Sequence, residues 1–273
     1  MKLFMSGLRK LARRLATWLT FALLAGLLVL IIVAVGATSD RPGRSGAERA
    51  AAISLVTFPG AYDQILAFIL GLGGLFAVIY GAAIAGSEWT WGTLKNAVAR
   101  GQSRSYYTLI TFASIAFVIA LGLVLTFAVG VVAALIGANL AGISTTGLTD
   151  SSTLGRLPEQ FLRGGIAIVM EGAIGFAIAM LARSQLAGIA AGIGLYFATT
   201  FAALLLPDVV KYLPFSVARA AVATGATSGP GLGGGGFQAA SLDANTALVL
   251  VVAWLVGALA VAALFTERAE ISG

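Results

Sequence analysis

The chain contains neither cysteine nor histidine. Those absences exclude disulfides, thiolate nucleophiles, imidazole acid/base chemistry and nearly every zinc, haem or iron–sulfur site. Charge is also scarce. Only 10% of the 273 residues are charged and 59% are apolar, whereas a soluble domain carries about 25% charged residues, so the composition belongs in lipid. The 17 Lys+Arg and 11 Asp+Glu leave a net charge of +6. The basic residues lie between apolar runs and do not line a face of a soluble domain, which argues against nucleic acid as a partner. A G-x-x-x-x-G-K-[ST] loop is missing too, so the chain has no phosphate-loop means of hydrolysing ATP. The expectation is a non-catalytic chain that binds no metal or cofactor of its own.

What the sequence does have is apolar length. A hydrocarbon core of about 30 Å needs about 20 helical residues at roughly 1.5 Å each. Six stretches meet or approach this, at 18–35, 65–85, 107–136, 161–181, 186–206 and 247–265. The predicted fold class is therefore an all-α membrane protein of six transmembrane helices in a single domain, 1–273. The third stretch is long enough to tilt or to project beyond the bilayer. An even number of spans puts both termini on one side. Ten bases fall on that side and seven on the other, and five of the ten (Lys2, Arg9, Lys10, Arg13, Arg14) immediately precede the first span. By the positive-inside rule both termini are expected in the cytoplasm, with the chain in the plasma membrane, the inner one in bacteria.

Residues 2–15 read as an amphipathic interfacial helix. Leu3, Phe4, Leu8, Leu11 and Leu15 fall on one face at 100° per residue, while Lys2, Arg9 and Arg13 cluster on another. Arg14 lies near the apolar edge and is expected to snorkel. A cleavable signal peptide is disfavoured because its apolar core would exceed the usual length. At 231–236 a formal G-x-G-x-x-G follows Ser-Gly-Pro instead of an apolar strand, so it reads as a flexible outer linker.

The most informative segment joins the second and third spans, at 86–104. Ser87 is a possible N-cap, and Trp91, Leu94 and Val98 recur at helical spacing, which predicts a short helix with one apolar face. Lys95 and Arg100 suit its C-terminal half, and Gly101 suits its end. In order, the segment presents Glu88, Gly92-Thr93-Leu94, Ala97-Val98 and Ser103-Arg104. In this it resembles the membrane subunits of type-2 ATP-binding-cassette (ABC) exporters. It differs in having Arg100-Gly101-Gln102 where a proline often precedes the Ser-Arg pair, and Thr111 where a lysine is often found.

The resemblance implies a permease that forms the substrate pathway as a dimer, with a second copy or a paralogue. It also implies two separate cytoplasmic ATPase subunits, which hold the ATP and magnesium. The helix at Gly92-Thr93-Leu94 would be the coupling helix, seated in a groove of the ATPase, with Glu88, Trp91, Ser103 and Arg104 belonging to the same element. An interfacial aromatic belt is the plainer reading of Trp89 and Trp91, and a pairing with Arg104 the plainer reading of Glu88. Short re-entrant helices are expected in the proline-containing outer segment at 207–214.

Glu171 stands midway along the fourth stretch, where an ionised side chain costs about 2.5–3.5 kcal/mol on translocon scales. It is either a proton or cation site, as in a secondary transporter, or a carboxyl hydrogen-bonded to Thr199, Thr200 or another polar group between helices. Gly188 and Gly192 form a G-x-x-x-G that allows close helix approach, either within the subunit or at a dimer contact. Gly81/Ala85 and Ala253/Gly257 are further small-residue pairs. Besides the exporter permease, the sequence leaves open an ion-coupled secondary transporter centred on Glu171 and a non-transporting membrane scaffold. The mostly apolar span faces favour a hydrophobic or amphipathic cargo.

Overall fold

The computed structural model describes residues 2–39, 46–222 and 242–269. Among them every regular element is helical. The predicted linker at 231–236 lies outside the described residues. The chain opens with α1 (Lys2–Ala12), turns at Ala12–Arg14 and enters the first span, α2 (Leu15–Ala37). A short α3 (Gly46–Ser54) leads to the second span, built from α4 (Gly60–Phe68), a π turn (Ile69–Gly73) and α5 (Gly74–Thr90). Next come α6 (Thr93–Ala99) and the third span, α7 (Arg104–Leu140). The single turn α8 (Ser151–Leu154) precedes the fourth span, α9 (Leu157–Ala182), and the fifth is α10 (Gln185–Leu205). The short helices α11 (Pro207–Val210) and α12 (Pro214–Ala220) each start on a proline, whose fixed φ suits the first helical turn. The sixth span is α13 (Ala244–Arg268).

Six helices are thus long and apolar enough to cross a membrane, and the chain is a multi-pass membrane protein. Each predicted stretch lies within its helix, except that the fifth helix stops one residue early. The helices run further than the apolar runs because capping residues start them in polar sequence. Ser103 accepts from the Tyr106 N–H, Ser184 from Ala187, and Asp243 from Asn245 and Thr246. With 37 residues, α7 is about 55 Å long at roughly 1.5 Å per residue, well beyond the hydrocarbon core.

The second and fourth spans form the centre. Their apolar windows are 78% and 67% buried, against a third or less for the other four. Lipid is as apolar as leucine, so close packing has to hold the two together. Small residues supply it: a Cβ on Gly81 would meet the Gly172 carbonyl, and one on Gly175 would meet the Val78 backbone. The fifth span packs on this pair through its own small residues. Gly188 faces Ala179 of α9, and Gly192 faces Val78 of α5. The G-x-x-x-G is therefore used in packing within the subunit. The Ala253/Gly257 pair of α13 is exposed instead, with open space around Gly257.

One end of the bundle collects the start of the chain, the connection between the second and third spans, the turn at Arg183 and the end of α13. Arg104 donates to the carbonyls of Glu267 (3.2 Å) and Ala269 (2.6 Å). Arg183, at φ 51°, sits 5.2 Å from the Trp89 ring and 5.3 Å from Phe265. At the opposite end Arg163 bonds Glu159 of its own helix and Asn245 at the start of α13.

Candidate functional site

The helix of the second span does not stop where the sequence suggests. Ser87 lies inside α5, and its hydroxyl donates to the Ile84 carbonyl at 2.7 Å, so it does not cap the following helix. The break comes at Trp91–Gly92. Gly92 takes φ +62°, a left-handed conformation that costs glycine nothing, and α6 begins directly after it without a side-chain cap. Gly101, at φ +80°, ends the segment as its position predicts.

Glu88, on the last turn of α5, is only 3% exposed. Its carboxylate gathers donors from three other elements. Lys10 of α1 lies 2.5 Å from Oε1, and Arg14, from the turn after α1, lies 3.5 Å from the same oxygen. Oε2 accepts from the Tyr107 hydroxyl of α7 at 2.7 Å and from the Thr93 hydroxyl of α6. Charge-assisted hydrogen bonds of this kind are about twice as strong as neutral ones. Arg14 also donates to Ser87 Oγ at 2.7 Å and stacks 4.5 Å above the Trp91 ring. Burial lowers the Arg14 pKa from its ordinary value and the charge on Glu88 opposes that shift, so the guanidinium depends on the carboxylate as its counter-ion. Next to this cluster Tyr80 and Thr17 share a 2.9 Å hydrogen bond, and Thr17 donates to the Leu11 carbonyl at 2.8 Å. These bonds fix the elbow between α1 and α2 to the second span.

The sequence-predicted residues are placed as follows. Arg104 is turned toward the end of α13, so the expected Glu88–Arg104 pairing is replaced by Lys10 and Arg14. Arg14 does not snorkel outward: its side chain is 11% exposed. Ser103 caps α7. Of the predicted apolar stripe, Leu94 is 2% exposed and packs toward the bundle while Val98 is half-buried, so its own subunit covers only part of it. Trp91 remains 60% exposed, and with Lys95, Asn96 and Arg100 it makes up the outward surface of the segment. The apolar face of α1 is likewise covered, by α7: Leu11 is buried, Phe4 packs edge-on against Phe117 at 6.1 Å, and Gly7 abuts Ser114. What α1 leaves outside carries Met5, Arg9 and Arg13. A small cleft of about 70 Å³ between α1 and α7 is lined by Ser6, Lys10, Glu88, Tyr107, Thr111 and Ser114, among others.

Glu171 is fully buried on α9, and neither of its carboxylate oxygens has a hydrogen-bond partner. The expected bonds to Thr199 and Thr200 are not formed, because both hydroxyls donate to carbonyls of their own helix, at Leu195 and Tyr196. The carboxyl group lies against Gly74, where any Cβ would collide with it. Nearby, the Tyr196 hydroxyl donates to the Gly71 carbonyl of the π turn at 2.8 Å and accepts from Arg219 of α12 at 3.1 Å. Among the described residues no three Asp or Glu side chains converge as a metal cluster.

Sequence reasoning singled out Glu88 and Glu171 but missed Lys10, Tyr107, Tyr196 and Arg219. Only Arg14 carried a signal, as a base out of place on an amphipathic wheel. The others come from elements distant in the chain, and no local pattern relates them.

No curated protein significantly matches the chain. Residues 47–263, from α3 to the last turns of α13, match a family model. Since this match takes in five of the six spans, including both that hold the buried carboxylates, the chain belongs to the family described as "Protein of unknown function (DUF2705)".

Proposed function

We propose that this chain is the membrane-spanning permease subunit of an ATP-driven exporter. In this reading it forms the substrate pathway as a dimer, with a second copy or a paralogue, and is coupled to separate cytoplasmic ATPase subunits. Both termini face the cytoplasm and the host bilayer is the plasma membrane. The segment from Trp91 to Arg100 is the coupling element. The observation that carries the reading is the convergence on Glu88: one buried carboxylate ties α1, the second span, α6 and the third span together, so a push on α6 reaches three membrane-facing elements at once. Transmission of this kind needs a rigid body with two arrangements. The outward surface of α6, an exposed tryptophan among polar and basic side chains, has the composition of an interface anchor.

The resemblance of Glu88, Gly92-Thr93-Leu94 and Ser103-Arg104 to type-2 ABC exporter permeases supports the same reading. The test is the ATPase rate of a partner co-purified with the chain in lipid nanodiscs. Trp91→Ala and Lys95→Glu change exposed side chains and are expected to uncouple ATP hydrolysis from cargo. An unchanged response to cargo in both variants would remove α6 from the mechanism. Cargo movement by the chain alone in liposomes, driven by a proton gradient and abolished by Glu171→Gln, would replace the proposal with an ion-coupled carrier.

A further inference from the structure

A carboxylate buried at the middle of a transmembrane helix without a partner is a costly feature for a packed interior to keep. Breaking or omitting the partner of a buried charge destabilises, and an apolar residue of similar size packs there without that cost. Glu171 is in this position, with both oxygens unpartnered and no exposed surface. The chain makes room for it: Gly74 of the second span lies flush against the carboxyl group, and the π turn Ile69–Gly73 immediately precedes that glycine. Single π turns inside α-helices are frequently found at functional sites. The adjoining glycines are packed against apolar side chains, Leu24 and Ile168 next to Gly73 and Ile119 next to Gly172. Arg219 of α12 does not bond the carboxyl group: its guanidinium is held by Tyr196, which is anchored in turn to the π turn.

We propose that Glu171 is the recognition site for a cationic group on an apolar body, such as the protonated amine of a hydrophobic cargo. The carboxylate meets this group when the second and fourth spans separate at the π turn. Once exposed between the parted spans and ionised, the carboxylate offers acceptors only, so its complement is a cation. The mostly apolar faces of the second and fourth spans on either side select the body that carries the cation. This inference rests on the exporter reading, because it assigns the chemistry of the cargo that such a permease would move.

The test uses the full chain in lipid nanodiscs, without the ATPase, and tetraphenylphosphonium as the probe, followed by flow dialysis against empty nanodiscs. Saturable binding is expected, displaced by dodecylammonium but not by dodecanol. Glu171→Gln is expected to weaken it about tenfold or more, and Arg219→Gln to strengthen it by removing the competing cation. Thermal unfolding of the Glu171→Gln variant is expected at or above the wild-type temperature, so lost binding would not reflect lost folding. Equal affinity in wild type and Glu171→Gln, or equal displacement by dodecanol, would overturn the inference. The ATPase is absent from this experiment, so failure of coupling through α6 and failure of cation recognition are read separately.

Discussion

Replacing Glu88 by alanine removes the acceptor on which Lys10, Arg14, Thr93 and Tyr107 converge, and the consequences differ for each donor. Lys10 is 34% exposed and can rehydrate, so its loss contributes little, as for most solvent-accessible pairs. Arg14 is 11% exposed and keeps only Ser87 and the Trp91 ring. Stranding one member of a buried pair costs about 3–5 kcal/mol, and the two remaining contacts place Arg14 near the lower end, at about 3 kcal/mol. The Tyr107 hydroxyl loses its carboxylate acceptor, at about 1 kcal/mol, whereas the Thr93 hydroxyl keeps the backbone carbonyl of residue 88 at 3.2 Å. The larger share falls on the attachment of α1 and its elbow. At about 1.36 kcal/mol per decade, a 3 kcal/mol loss raises the opening constant of α1 roughly a hundredfold. Hydrogen exchange of the amides in Lys2–Ala12, measured by mass spectrometry in nanodiscs, is expected to accelerate by that factor while the centres of the second and fourth spans stay protected. The natural absence of cysteine allows an independent readout from spin labels at Ser6→Cys and Thr111→Cys, which face each other across the cleft and are expected to separate. Unchanged exchange in α1, or an unchanged label distance, would refute the argument that Glu88 holds α1 in place.

Two further outcomes follow from the packing. Gly192→Leu drives a side chain into Val78 and is expected to lower the unfolding temperature in detergent through overpacking worth about 1–3 kcal/mol. Gly194→Leu, which meets open space, should be close to neutral; unchanged stability of Gly192→Leu together with a change in its oligomeric state by light scattering would instead return the G-x-x-x-G to a dimer contact. Tyr196→Phe leaves the Gly71 carbonyl without its donor and Arg219 without its acceptor. It is expected to destabilise by about 1–3 kcal/mol, read by thermal unfolding, with exchange rising in α12 and in the π turn; protection unchanged in both would show that this link carries no load.

The six spans were legible because the requirement behind them is local. A helix in lipid must be long enough and apolar enough, and both properties are sums over adjacent residues. The amphipathic α1 was legible for the same reason, since its wheel needs only a period of 3.6. Of the predicted stripe only Leu94 is buried, while Trp91 stays outside α6 and exposed, because a helical period shows which residues share a face without naming the neighbour that covers it. Ser87 illustrates a similar limit: it is a good cap by composition, yet the preceding helix continues past it because Gly92 offers the easier break.

By itself, then, the sequence determined that this is a multi-pass helical membrane protein, where its spans fall, and which two acidic residues stand out against an apolar background. Tertiary structure alone decided their partners. Glu88 is neutralised by Lys10, some 78 positions away, and by Arg14, while Glu171 is left without a donor against Gly74. Apolar length and helical period are written in neighbouring residues, but the pairing of a buried charge depends on which helices lie side by side, and in this bundle close glycine contacts between spans set that arrangement.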